Sequence, residues 1–97
     1  MKYRIVWLAQ AVEELEAIRF YLDPIAPEAS LQLAKKIYQR INELTLFPSS
    51  CPRDSMRPRY RRLAITRNYS VLYQVSEKES RIYIAHVWHN SRDKNRM

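Results

Sequence analysis

The chain contains no glycine in 97 residues, where average usage would place about seven. Its reversals of direction must therefore be made by Pro, Asn, Asp and Ser, and no glycine-rich loop can bring backbone amides onto a phosphate. The P-loop and Rossmann classes of nucleotide-dependent enzyme are excluded on this ground. Turn-forming residues do lie between the apolar segments, at Asp23-Pro24, Pro48-Ser49-Ser50, Asn68 and residues 76–80. They cut the chain into pieces whose hydrophobic period can be read one at a time.

Residues 3–8 are short, apolar and partly β-branched, and predict a first strand. From Ala9 the period changes: Leu8, Val12, Leu15, Ile18 and Leu22 recur at three- and four-residue steps, the mark of an amphipathic helix. Asp23-Pro24 stops it, because proline disfavours helical angles in the residue before it. Pro27 then suits the first turn of a second helix, whose buried stripe is Leu33, Ile37, Ile41 and Leu44 and which runs to Phe47 before Pro48. That helix would be roughly 30 Å long, and the short link implies an antiparallel hairpin of helices. Residues 48–56 form a loop. Three strands follow, at 61–67, 69–76 and 81–89, with Asn68 as a turn residue tolerant of positive φ in place of glycine. Along the last strand Ile82, Ile84, His86 and Trp88 alternate onto one face. The order β-α-α-β-β-β predicts an α+β fold, a helical hairpin packed on a small, mainly antiparallel sheet. One domain is expected over residues 1–93, with a polar tail at 94–97.

Charge is distributed unevenly. Residues 1–48 carry six basic and six acidic side chains, and residues 49–97 carry eleven and four, so the whole net charge of +7 belongs to the second half. Within it, Arg53, Arg57, Arg59, Arg61, Arg62 and Arg67 face a single acid, Asp54. Clustered guanidinium groups bind phosphate or carboxylate through a planar fork that lysine lacks, so a polyanionic partner is expected. The lone Cys51 excludes an internal disulfide and fits a reducing compartment. The N-terminal apolar run is too short for a signal segment or a membrane span, and a cytoplasmic protein without a membrane partner is expected. His86 and His89 have an odd separation and no accompanying carboxylate or cysteine cluster, so no metal site is expected, and no cofactor.

Several segments in this order resemble the RelE/ParE superfamily of bacterial type II toxin–antitoxin toxins, of the plasmid-stabilisation type. They are Ala11-Val12-Glu13-Glu14-Leu15, Leu44-Thr45-Leu46-Phe47-Pro48, Arg62-Leu63, Asn68-Tyr69-Ser70-Val71-Leu72-Tyr73-Gln74-Val75, and Val87-Trp88-His89-Asn90-Ser91-Arg92-Asp93. The resemblance implies a toxin with a cognate antitoxin and one of two targets. RelE-like members cut messenger RNA in the ribosome, and ParE-like members poison DNA gyrase. The Asn-Tyr…Leu-Tyr strand and the His-x-x-Arg-Asp ending look more like the ParE branch. RelE carries an arginine immediately after the tyrosine that opens the central strand, and here that position is Ser70. Gyrase inhibition is therefore favoured. Ribosome-dependent endonuclease is the alternative, with a decayed toxin that only binds antitoxin as a third reading.

Metal-free RNA cleavage needs a base for the 2′-hydroxyl, cations for the phosphorane and an acid for the leaving oxygen. The candidates for a nuclease are Arg61, Arg62, Arg67, His89 and Arg92. For nucleic-acid binding they are Arg53, Arg57, Arg59, Arg61, Arg62, Arg67 and Tyr69. Each has a plainer reading. His89 closes a sheet edge, the aromatics of the meander fill the core, and Arg61 and Arg62, adjacent on a strand, point to opposite faces.

Overall fold

The computed structural model describes residues 2–91. Six elements follow one another: β1 (Arg4–Trp7), α1 (Ala9–Leu22), α2 (Pro27–Glu43), β2 (Arg61–Ala64), β3 (Tyr69–Ser76) and β4 (Arg81–His89). The sheet order is β1-β4-β3-β2. The three later strands form the expected antiparallel meander, and β1 joins its far side parallel to β4, with Ile5 opposite Ile82. Two helices on a four-stranded sheet make the α+β architecture expected from the hydrophobic periods. The core lies between the helices and one sheet face, where Ala11, Leu15, Leu33, Ile37 and Ile41 meet Leu63, Val71, Tyr73, Ile82, Ile84 and Val87. No helix among the described residues is long and apolar enough to cross a membrane.

The helices depart from expectation in three places. The buried stripe of α1 is Ala11 and Leu15, with Ile18 and Leu22 at its margin, while Leu8 and Val12 are each 39% exposed. The small side chain of Ala11 lets the helix axis approach the sheet, and the stripe rotates with it. Asp23 keeps right-handed helical angles (φ −53°, ψ −44°), so restriction before proline is not what ends α1. The helix stops because Pro24 has no N–H to offer the carbonyl four residues back. Finally, α2 ends at Glu43, not Phe47. Leu44 and Thr45 donate to carbonyls three residues back, at Ile41 and Asn42, and the Thr45 hydroxyl caps the Asn42 carbonyl at 2.8 Å. The tightened turn leaves the Thr45 carbonyl to receive the Tyr3 amide at 3.1 Å, which ties the end of α2 to the start of β1.

Two corrections concern the sheet, and they decide where the functional side chains point. The strand expected at 61–67 ends at Ala64, because the Ile65 and Thr66 amides both turn back to the Tyr69 carbonyl. Thr66 builds that turn by accepting the Asn68 and Tyr69 amides on its hydroxyl. The non-glycine residue with positive φ among the described residues is Ser80 (φ 54°), in the β3–β4 turn, and not Asn68. In β4, Ile84 pairs with Tyr73 but His86 pairs with Leu72, so Ala85 is an extra residue, a β-bulge. A bulge reverses the alternation beyond it. Ile82 and Ile84 therefore face the helices, Val87 takes over that role, and His86 and Trp88 turn to the opposite face instead of sharing one with the isoleucines.

Candidate functional site

The sheet face away from the helices is partly roofed by the loop between α2 and β2. Its residues 52–54 run antiparallel to 60–62: the Arg62 amide donates to the Pro52 carbonyl at 2.9 Å and the Asp54 amide to the Tyr60 carbonyl at 2.8 Å. This ribbon carries Asp54 inward to 3% exposure. A carboxylate so placed needs cationic partners, and it has two. Arg62 Nη1 donates to Oδ1 at 2.7 Å and Arg57 Nη1 to Oδ2 at 3.2 Å, while the Met56 and Arg57 amides add bonds at 3.1 and 2.9 Å. Burial pushes the Asp54 carboxyl up. The Arg62 hydrogen bond, the two amides and the Arg62 charge together outweigh burial and hold the carboxyl below its ordinary value.

The network continues from Arg62. Its Nη2 donates to Asn90 Oδ1 at 2.8 Å, and the buried Ser70 hydroxyl donates to the same oxygen at 2.8 Å. Asn90 in turn donates through Nδ2 to the Arg67 carbonyl and through its amide to the Asn68 carbonyl. On the other side, the Arg57 guanidinium lies 4.4 Å from the centre of the Trp88 ring, a cation–π contact. Trp88 stacks beside His86 at 4.3 Å, and the edge of Tyr60 meets His86 at 5.6 Å. Beneath them Glu14 of α1 reaches the part of β4 that β1 is too short to pair. It accepts the Val87 amide at 3.0 Å and the Trp88 indole N–H, and sits 3.2 Å from His86 Nδ1. Asp54, Asn90, Glu14 and Trp88 were not among the expected site residues. The signal for Asp54 was its isolation as the only acid amid six arginines.

Arg61 pairs with Tyr73 and Arg62 with Leu72, so the two point to opposite faces, as adjacent strand residues must. Arg61 Nη1 donates to the Cys51 carbonyl at 2.7 Å. Beside it the buried Tyr73 hydroxyl donates to the Pro48 carbonyl at 2.8 Å, and burial pushes its pKa up. Arg61 lines, together with Arg53 and Arg59, a cleft of about 440 Å³. Arg67 is exposed in the β2–β3 turn. His89 lies 5.0 Å from Tyr69, ring edge to ring face, and accepts the Ser91 amide on Nδ1 at 3.1 Å. An N–H donated to Nδ1 requires the lone pair there, so in the neutral ring the proton sits on Nε2 and the acceptor nitrogen is already engaged by Ser91. Burial raises the pKa of Tyr69, with the neighbouring Tyr21 adding to it. Arg92 lies outside the described residues, as does the tail at 94–97. The expected nuclease set is thus divided: Arg62 is held by Asp54 and Asn90, Arg61 faces away from it, and His89 pairs with Tyr69 at the sheet end.

The model of the family described as the ParE toxin of type II toxin–antitoxin system, parDE, matches residues 5–94. This chain belongs to the ParE toxin family. Solved structures share the ParE-like fold at low identity. The chromosomal ParDE system from P. aeruginosa superposes with a TM-score of 0.76 at 22% identity, over 91% of this chain and 96% of that one. The YoeB/ParE toxin from Agrobacterium tumefaciens gives 0.65 at 16%, over 89% and 96%. A chain of the RelBE2 toxin–antitoxin complex from Mycobacterium tuberculosis gives 0.59 at 15%, over 92% and 99%. A search of curated protein sequences finds no significant match. Family membership makes the chain a type II toxin on the ParE side of the RelE/ParE superfamily.

Proposed function

We propose that this ParE-family toxin inhibits DNA gyrase by binding it, and that a small antitoxin holds the toxin inactive until released. The observation that carries the reading is the state of the face where a RelE-like nuclease would work. Ser70 stands where RelE has an arginine, is 2% exposed, and is committed to Asn90, while Arg62 is committed to Asp54 and Asn90. Groups so engaged are poor at stabilising a phosphorane, which requires donors aimed at the developing charge. The helical hairpin supplies a contrasting surface suited to protein contact. At its turn Phe20, Tyr21 and Ile25 are 84%, 68% and 66% exposed, and large exposed apolar side chains in one place mark interaction sites.

A supercoiling assay with purified gyrase tests this directly. The toxin is expected to block supercoiling, and Phe20→Ser with Tyr21→Ser to relieve the block while the fold persists. Unchanged supercoiling at a dose that arrests growth would remove the gyrase reading. In a translation extract, cleavage of message within codons would replace it with the endonuclease alternative. The antitoxin is expected as a co-purifying small protein encoded beside the toxin, and recovery of the toxin alone from a strain carrying both frames counts against that part.

A further inference from the structure

Arg53, Arg59 and Arg61 differ from their neighbours Arg57 and Arg62 in one respect: none of the three forms an ion pair with the described residues. They line one cleft together with Glu77, Glu79 and Tyr83. The forks are fixed by one bond each for Arg53, to the Pro58 carbonyl at 2.9 Å, and Arg61, to the Cys51 carbonyl. Arg59 lies 4.9 Å over the Tyr60 ring. Most of their N–H donors meet no acceptor among the described residues. In the same cleft Glu77 accepts the Tyr3 hydroxyl and Glu79 the Tyr83 hydroxyl, each on Oε1, and Ser76 and Arg81 also interact with the Glu79 carboxylate.

We propose that this cleft binds a small phosphate monoester whose other end carries hydroxyl groups, a ligand of the size and kind of a nucleoside monophosphate. Three guanidinium groups with no ion pair among the described residues exceed what one carboxylate can use, since a single fork satisfies its two oxygens. A phosphate monoester presents three terminal oxygens and a charge of about −1.5 to −2, which matches the arginine wall. The glutamates repel any phosphate placed beside them, so the phosphate end belongs at the arginines and the uncharged end of the ligand at Glu77 and Glu79. Carboxylate oxygens accept more than one hydrogen bond and suit hydroxyl donors, as acidic residues suit ribose hydroxyls elsewhere. The volume of about 440 Å³ is that of an ordinary small-molecule site, which spans roughly 300–1,000 Å³. With no glycine in the chain, side chains replace the backbone amides that usually hold phosphate. The site is separate from the Asp54 network, and the inference does not rest on gyrase as target.

Calorimetric titration of the intact toxin with adenosine monophosphate, inorganic phosphate and adenosine tests the proposal. The nucleotide is expected to bind, phosphate to bind about tenfold more weakly, and adenosine not to bind. Arg59→Ala, at an exposed position, is expected to weaken the nucleotide about tenfold while the thermal melt stays unchanged. Glu79→Gln should weaken the nucleotide and leave phosphate unaffected, and Arg67→Ala should change neither. No heat from the nucleotide at millimolar concentration overturns the site. So does equal weakening by Arg59→Ala and Arg67→Ala, which indicates diffuse attraction by net charge. Displacement of the nucleotide by an acidic peptide or a single-stranded oligonucleotide at lower concentration also overturns it, reassigning the cleft to a macromolecule.

Discussion

Two halves of one arginine-rich segment behave in opposite ways. Arg57 and Arg62 converge on Asp54 and are 16% and 26% exposed at the side chain, whereas Arg53 and Arg59 remain at the surface and join Arg61 around an open cleft. The same residue type, within ten positions, builds structure in one half and a receptive surface in the other. The deciding element is a single carboxylate carried inward by the ribbon at 52–54. Charge counted along a chain is therefore not charge available to a partner. One buried acid can absorb two guanidinium groups, and the remainder determine what the surface can bind.

The sharpest way to break this contrast is Asp54→Ala. It leaves two partly buried guanidinium groups facing each other, and a loss of about 3 kcal/mol in urea unfolding is expected; a loss within the noise of the measurement would mean the network is not a structural element. The same carboxylate carries a pH signature. Its folded-state pKa lies below the ordinary value, so its contribution is fully present above the unfolded-state pKa of about 3.9 and is lost as pH falls through the folded-state value. The stability gap between the natural protein and Asp54→Asn should accordingly close below about pH 4. Next in size is Glu14→Ala, which strips acceptors from the Val87 amide and the Trp88 indole and should cost about 2 kcal/mol, with a shift in tryptophan fluorescence. Tyr73→Phe removes the bond to the Pro48 carbonyl that anchors the loop, and about 1 kcal/mol is expected. Arg53→Ala should fall within about 0.5 kcal/mol of the natural protein. A larger loss would place the cleft arginines with the structural half.

Element order and type were readable because the hydrophobic period is strong: α1, β3 and β4 fall where the spacing of Leu, Ile and Val puts them. What escaped depends on contacts between distant parts. Nothing in the Arg81–His89 run reports that Ala85 is an extra residue, since the bulge is a relation between two strands. The faces of His86 and Trp88 follow from it. The end of α2 was set by the Thr45 hydroxyl and by the bond from Tyr3, not by Pro48. In the site, the opposite directions of Arg61 and Arg62 follow from strand alternation alone, but the capture of Arg62 by Asp54 needs the loop to fold back. Glu14 lies 72 positions from His86, and its role at the strand edge becomes visible only once the helix is laid on the sheet.

The pairing of β1 with β4 has a consequence for the order in which the molecule assembles. Arg4–Trp7 is made before the other described elements, yet the strand it lies against is Arg81–Ile84, so it has no partner until nearly all described residues have emerged. Closing so long a loop is among the slow steps available to a small domain. During that interval Ile5 and Trp7 have no sheet to shelter them, and the nascent toxin passes through synthesis as an unfinished layer whose completion waits for its last strand.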